Sequence, residues 1–170
     1  MTRYCTKCGQ PTSQQRPHLY ICTNDHQNFI DSVPSSVVYI LDGNRVLFGI
    51  RSREPGIGKL DPPGGFIEIP ENAEEAAVRE IKEELGIDIE IKDFLGTYHS
   101  IYSEGGQDVL NIVFVATKIG GKFKPGDDLA GGEPVWRSID DLPIADELSF
   151  DWLARSQQDL QNWYKKHHVL

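Results

Sequence analysis

Three glutamates fall within about one helical turn of the sequence: Glu80, Glu83 and Glu84. Carboxylates at this spacing repel one another, so a helix that carries them needs a positive partner. Mg²⁺ or Mn²⁺ fits this role, because both cations prefer carboxylate and carbonyl oxygens and keep water and substrate phosphates as further ligands. The glycines Gly64 and Gly65 would let a main-chain carbonyl, which we assign to Gly65, approach the same ion. The alternative is a solvated acidic face that Arg79 and Lys82 neutralise in part.

The same segment carries the signals of a capped helix. Asn72 can accept backbone N–H groups at the N-cap, and Glu75 can reach back as in a capping box. Gly86 suits the end of the helix, where a left-handed residue is favoured as glycine. At 100° per residue the apolar side chains share one arc beside the glutamates: Ala77, Val78, Ile81 and Leu85. The segment therefore predicts a helix that buries one stripe and presents carboxylates next to it.

The fixed positions of a known motif recur here in order: Gly65, Glu71, Arg79, Glu80, Ile81, Glu83, Glu84, Gly86 and Ile87. The segment resembles the Nudix box at every position that this motif specifies. So many matched positions in so short a segment make the resemblance far more specific than a lone glycine motif. The resemblance covers residues 36–148, most firmly in the box.

The resemblance implies a Nudix hydrolase, in which Mg²⁺-dependent attack of water cleaves a nucleoside diphosphate linked to another moiety. It implies an α/β fold, the Nudix α/β/α sandwich, with a mixed β-sheet between helices. In that family the box glutamates hold the metal and the box arginine orients one of them. The corresponding residues here are Arg79, Glu80, Glu83 and Glu84.

The resemblance leaves the general base open, because members of the family use either a box glutamate or an acid on a later loop. The candidates are Glu80, Glu104, Asp108, Asp127 and Glu133. Three cations upstream of the box are candidates for holding substrate phosphate: Arg51, Arg53 and Lys59. Downstream, Tyr102 either stacks on a substrate base or packs as a strand residue within the sheet, and Phe66, Tyr98 and Trp136 share this ambiguity.

All three cysteines of the chain and one suitably spaced histidine lie within residues 1–30: Cys5, Cys8, Cys22 and His26. This segment is too short and polar to fold around a core of its own, and a zinc ribbon would hold it together. We expect a closed, structural Zn²⁺ site with this Cys₃His set. Asp25 and His18 are the other candidates for the fourth ligand, and three reduced cysteines without metal are the alternative.

The substrate expected first is ADP-ribose or an NAD(H)-like dinucleotide. A ribbon before a Nudix domain is similar to the layout of NADH pyrophosphatases, although the Ser-Gln-Pro-Trp-Pro-Phe-Pro run that marks those enzymes is absent here. The position of Tyr102 is similar to that of a tyrosine in dinucleoside polyphosphate hydrolases, so these substrates and (d)NTPs remain alternatives. A non-catalytic nucleotide sensor is the alternative of another class, but such proteins usually lose box acids.

Length and composition set further limits. The chain of 170 residues allows one ordinary domain, which we place at residues 34–170, and a small appendage at residues 1–33. A net charge of −9 disfavours broad binding to nucleic acid, and a nucleotide-type small molecule is the expected partner. No apolar run is long enough to cross a membrane, so a cytoplasmic protein is expected. A homodimer is compatible with the sequence, which leaves the oligomeric state open.

Turn and strand signals predict the elements around the box. Residues 36–41 and 45–51 form a predicted hairpin about a turn at 42–44, and residues 94–102 and 109–118 form two predicted strands. An acidic loop is expected at residues 125–132 and a closing helix from Asp146 to about His168.

Overall fold

The computed structural model describes residues 2–102, 106–124 and 133–167. The chain divides into two compact units, Met1–Ser32 and Val33–Leu170. Among its described residues, no helix is both long and apolar enough to cross a membrane.

The first unit is a three-stranded antiparallel sheet in the order β1-β2-β3. Its strands are β1 (Thr12–Arg16), β2 (Leu19–Cys22) and β3 (Gln27–Phe29). Within residues 2–32 only Cys5 and Cys22 are fully buried, at 3% and 4% exposure. Two buried thiols are too small a core for a unit of this size, so another interaction has to stabilise it.

The second unit is built on a seven-stranded mixed sheet. Its strands are β4 (Val33–Asp42), β5 (Arg45–Ile50), β6 (Leu60–Asp61), β7 (Gly64–Phe66), β8 (Ile87–Tyr102), β9 (Gln107–Gly121) and β10 (Val135–Ser138). The main order is β10-β5-β4-β9-β8, while β6 pairs with β5 and β7 pairs with β4. Strands β4 and β9 run parallel, and the other pairs are antiparallel.

Two helices cover opposite faces of this sheet: α1 (Ala73–Leu85) and α2 (Trp152–His167). Successive residues of a strand point to opposite faces, and β4 shows this directly. Tyr39 belongs to the buried cluster that contains Leu160 of α2, whereas Ile40 belongs to the cluster that contains Ile81 of α1. The structure therefore confirms the predicted α/β fold with a mixed sheet between helices.

Helix α1 begins and ends where the sequence predicts. The Glu75 N–H donates to the Asn72 side chain at 2.9 Å, and the Asn72 N–H donates to the Glu75 carboxylate at 2.9 Å, which completes the capping box. Gly86 closes the helix in the left-handed conformation, at φ 70°. The predicted apolar stripe is wrong at one position, because Val78 is 44% exposed and Ala76 is buried.

Other local predictions are confirmed in part. The hairpin of β4 and β5 forms about Gly43 and Asn44 as predicted.

Strand β8 begins at Ile87 and not at residue 94, because register shifts along its pairing with β9 interrupt the alternation of apolar residues. Helix α2 begins at Trp152, since residues 145–147 form a separate 3₁₀ turn. The predicted acidic loop at residues 125–132 lies outside the described residues.

The position of α1 predicts a contrast between two of its β-branched residues. Ile81 is fully buried between α1 and the sheet, so Ile81→Ala should destabilise the domain by about 2–4 kcal/mol. The exposed Val78 is the matched control, and Val78→Ala should change stability by less than about 1 kcal/mol. Urea unfolding followed by tryptophan fluorescence measures both values. Equal effects would contradict the assignment of the buried face.

Candidate active site

The Gly-rich loop before α1 and the acidic side of α1 enclose a cleft of about 240 Å³. Its lining includes Arg51, Arg53, Asp61, Gly64, Gly65, Phe66, Glu80, Glu84 and Tyr102. Two of the three glutamates predicted as metal ligands, the predicted glycine and three of the four predicted substrate residues therefore meet at one cavity.

The two glycines allow the main chain to run between β4 and the helix. A Cβ atom at Gly64 would lie 2.2 Å from the Ser36 carbonyl oxygen, and Gly64 has φ +152°. A Cβ atom at Gly65 would lie 2.3 Å from a carboxylate oxygen of Glu80. The neighbour of Gly64 is backbone, so only glycine fits there, whereas a side chain at Gly65 would displace the Glu80 carboxylate. The glycine pair therefore lets the backbone lie against the acidic side chains.

The carboxylate of Glu84 accepts a hydrogen bond from the Gly64 N–H at 3.1 Å. Burial raises the pKa of Glu84 to about 8, despite the lowering effect of this bond. Burial also raises the pKa of Glu80, against the effect of the neighbouring Arg79. Two carboxyls that are destabilised in their charged form, and that lie beside a glycine backbone, are a donor set that fits Mg²⁺ or Mn²⁺.

Arg79 connects the acidic residues of the box. Its guanidinium donates two hydrogen bonds to Glu71, at 3.0 and 2.5 Å, one to the Phe66 carbonyl oxygen at 3.0 Å and one to Glu80 at 2.8 Å. The bonds from Arg79 lower the pKa of Glu71 to about 2. Arg79 therefore fixes Glu80 relative to the loop. Glu71, which received no separate role from the sequence, anchors the arginine.

Glu83 stands apart from the other two glutamates. Its side chain is 61% exposed and does not line the cleft, although Arg79 donates to it at 3.2 Å. Its part in metal binding stays a prediction, while the geometry gives Glu80 and Glu84 the direct access.

Arg51 lines the cleft and is held there by several partners. It donates to the Pro55 carbonyl oxygen at 2.7 Å, to Asp61 at 2.6 Å and to the Tyr102 hydroxyl at 3.3 Å. The guanidinium carbon also lies 5.0 Å from the ring centre of Phe150. Burial raises the pKa of Asp61 to about 6 despite this ion pair.

Sequence reasoning missed Asp61 and Phe150. Asp61 lies directly before the Pro-Pro-Gly-Gly run, and that position was the only signal available for it. Phe150 reaches Arg51 from a distant segment, and no local pattern indicates this contact.

Of the remaining predicted site residues, some line the cleft and others lie elsewhere in the domain. Arg53 and Phe66 line the cleft, whereas Lys59 is exposed and does not. Tyr98 is a buried core residue that donates to Asp159. Trp136 is partly buried and packs against Phe123 beside the core, so neither residue lines the cleft.

Only one acid considered as general base lines the cleft among the described residues, and it is Glu80. Asp108 pairs with His99 at 2.7 Å, and Glu133 is exposed. Glu104 and Asp127 lie outside the described residues.

A second group of candidate ligands lies in the first unit. The ligand atoms of Cys5, Cys8, Cys22 and His26 all fall within 4.8 Å of one another. The Cys5 and His26 atoms are 3.6 Å apart and the sulfurs of Cys8 and Cys22 are 3.7 Å apart. A tetrahedron with Zn–S bonds of about 2.3 Å has edges of about 3.8 Å, so these spacings fit zinc.

The surroundings of the cluster support thiolate ligands. Burial acts to raise the pKa of the Cys5 thiol, but hydrogen bonds, first among them that of the Lys7 N–H, lower it to about 6. Of the three residues considered as fourth ligand, only His26 belongs to the cluster. His18 instead stacks on Phe29, with ring centres 6.4 Å apart.

Comparison with known proteins agrees with this geometry. The family profile described as NUDIX domain matches residues 32–156. The chain belongs to the Nudix family. A structure titled as a NUDIX hydrolase from Nitrosomonas europaea superposes on this Nudix chain with a TM-score of 0.75, covering 98% of this chain and 93% of the other at 22% identity.

Two curated relatives of this Nudix chain carry functional names. An ADP-ribose pyrophosphatase of Methanocaldococcus jannaschii is 41% identical over 108 residues, which cover 64% of this chain and 61% of the relative. A protein of Pseudomonas entomophila named NAD-capped RNA hydrolase NudC is 30% identical over 144 residues, which cover 83% of this chain and 50% of the relative. The chain thus spans about half to three fifths of these relatives.

The buried Glu84 carboxyl predicts a pH dependence of stability in Mg²⁺-free protein. Its folded pKa of about 8 lies above the ordinary value of 4.5, so the folded chain keeps a proton that the unfolded chain has lost. The stability that the protonated Glu84 carboxyl contributes is fully present below about pH 4.5. It is lost as the pH rises through about 8, by about 1.4 kcal/mol for each pH unit. The melting temperature should therefore fall from about pH 6.5 to 8 by several degrees.

Thermal unfolding of protein dialysed free of Mg²⁺, without chelator, measures this fall. Asp61, with a pKa of about 6, adds its effect mainly below this range. Glu84→Gln is the control, and it should flatten the profile between these two pH values. An equal fall in Glu84→Gln would assign the pH dependence to another group.

Proposed function

We propose that this chain hydrolyses the pyrophosphate bond of a nucleoside diphosphate linked to another moiety, with ADP-ribose as the first expected substrate. The observation that carries the proposal is the pair of half-buried glutamates, Glu80 and Glu84, at a cleft that Arg51 also lines. The name and identity of the Methanocaldococcus relative support ADP-ribose as the substrate.

In this proposal Glu80 and Glu84 hold Mg²⁺ or Mn²⁺, joined by Glu83 and the main chain at Gly65. When bound, the metal would neutralise phosphate charge and lower the pKa of a water molecule, so that this water can lose a proton and attack phosphorus. The ligand side chains are kept in place by the protein itself. Arg79 donates to Glu80, and the Gly64 N–H donates to Glu84.

The cations at the cleft can neutralise the charge of the substrate phosphates. The chain has a net charge of −9, so a diphosphate needs local positive groups to approach it. Arg51 and Arg53 line the cleft and supply such groups. In-line displacement at phosphorus depends chiefly on positioning and charge neutralisation, and Glu80 is the candidate to accept a proton from the attacking water.

A second candidate substrate is an NAD-like dinucleotide. The Pseudomonas relative aligns over 83% of this chain, and its name gives NAD-capped RNA as what that protein hydrolyses. Cleavage of the dinucleotide would release two mononucleotides, while cleavage of ADP-ribose would release AMP and ribose 5-phosphate. Product chromatography distinguishes the two.

The proposed metal role predicts a large loss of activity in Glu84→Gln. The neutral amide keeps the size of the side chain but weakens cation binding, so kcat for ADP-ribose hydrolysis with Mg²⁺ should fall at least about 100-fold. Glu74→Gln, in the exposed first turn of α1, is the matched control and should keep wild-type activity. Full activity in Glu84→Gln would contradict the metal assignment.

We further propose that the Cys₃His cluster binds one structural Zn²⁺. Metal analysis of the purified chain should find about one equivalent of zinc, because four ligands at tetrahedral spacing satisfy the ion. Cys22→Ser and His26→Ala should lose the zinc, while His18→Ala should retain it. Zinc that persists in His26→Ala but is lost in His18→Ala would overturn the ligand assignment.

A further inference from the structure

A smaller cavity of about 120 Å³ adjoins the cleft and shares Arg51, Phe66 and Tyr102 with it. We call it the side cavity. Three polar residues on neighbouring strands, none of them used in the mechanism above, contribute to its lining: Ser35 on β4, Asn111 on β9 and Ser100 on β8. Ser35 and Asn111 are paired across the sheet and are only 5% and 6% exposed.

The amide of Asn111 has a fixed orientation. Its nitrogen donates to the Tyr98 carbonyl oxygen at 3.0 Å and to the Ser100 hydroxyl at 2.9 Å. A carbonyl oxygen can only accept a hydrogen bond, so the amide nitrogen must face it. The amide oxygen therefore faces Ser35, whose hydroxyl donates to it at 2.8 Å.

This orientation gives the two hydroxyls different roles toward a ligand. Ser35 uses its proton on Asn111, so it can offer the side cavity only acceptor lone pairs. Ser100 accepts from Asn111, so its own proton is directed elsewhere and is available to a ligand. The network thus presents one acceptor and one donor from neighbouring strands, both fixed by a single buried amide.

The rest of the lining combines aromatic side chains with the charged residues Arg51 and Asp61. Phe66, Tyr102, Phe150 and Trp152 all line the side cavity. The rings of Tyr102 and Phe150 lie 5.9 Å apart at a shallow angle of 32°, and Phe66 meets Tyr102 edge to face at 5.8 Å. Apolar rings around a small number of fixed polar groups are typical of a site for a planar heterocycle.

We propose that the side cavity binds the heteroaromatic ring of the substrate and that Ser35, Asn111 and Ser100 read its edge. The ring must carry both an acceptor and a donor, as the amidine edge of adenine and the carboxamide of nicotinamide do. The inference rests on the proposed function, in which Arg51, a residue that lines both the cleft and the side cavity, contacts the phosphates of the substrate.

Calorimetric binding of AMP and of nicotinamide mononucleotide, with Mg²⁺ present, tests the inference without hydrolysis. One of the two should bind wild-type protein, and Ser100→Ala should weaken that binding about tenfold through loss of the donor. The probe that is affected identifies the ring. Ser35→Ala removes the acceptor and should weaken the same probe. Thr97→Ala, an exposed hydroxyl on the same strand, is the matched control and should bind like wild type.

Thermal unfolding of each variant establishes that it is folded. Unchanged binding in both folded serine variants, or no binding of either probe to wild type, would overturn the inference. Hydrolysis of ADP-ribose and NAD⁺ is measured in parallel. Selective loss of binding in a chain without hydrolytic activity would retain the ring site and refute the proposed function, whereas hydrolysis with unaffected binding would do the reverse.

Discussion

The candidate active site depends on two carboxyl groups that are held partly out of water beside the main chain. Glu80 and Glu84 lie against Gly65 and Gly64, and burial raises the pKa of both. Their charged forms are therefore unfavourable unless a cation offsets the cost. The side-chain-free glycines, the capped helix and the arginine of the box all serve to keep these carboxyls in this unfavourable arrangement.

Arg79 shows how the spacing of the motif becomes geometry. The residue joins Glu71 before the helix, the Phe66 carbonyl oxygen at the end of β7 and Glu80 within the helix. These partners all lie within residues 66–80, in the connection before α1 and its first two helical turns. A short segment can therefore organise the acidic part of the site. The substrate part has another origin, because Arg51 is held by Asp61, Tyr102 and Phe150 from separate regions.

This difference explains what the sequence could predict. The caps of α1 and the hairpin of β4 and β5 depend on neighbouring residues, and both were predicted correctly. Of the box glutamates, Glu80 and Glu84 line the cleft and Glu83 does not, while their role in metal binding stays a prediction. Contacts that depend on tertiary packing were missed, as for Asp61 and Phe150. Val78 was misassigned because residues 76 and 78 both lie near the edge of the buried arc, and only packing on the sheet decides between them.

Mn²⁺ binding measured by electron paramagnetic resonance tests the central claim most directly, since free and bound Mn²⁺ give different signals and no substrate is needed. The account predicts that wild-type protein binds Mn²⁺ and that the double variant Glu80→Gln/Glu84→Gln binds it at least about tenfold more weakly. Equal Mn²⁺ affinity in the two folded proteins would contradict the claim that these carboxyls form the metal site.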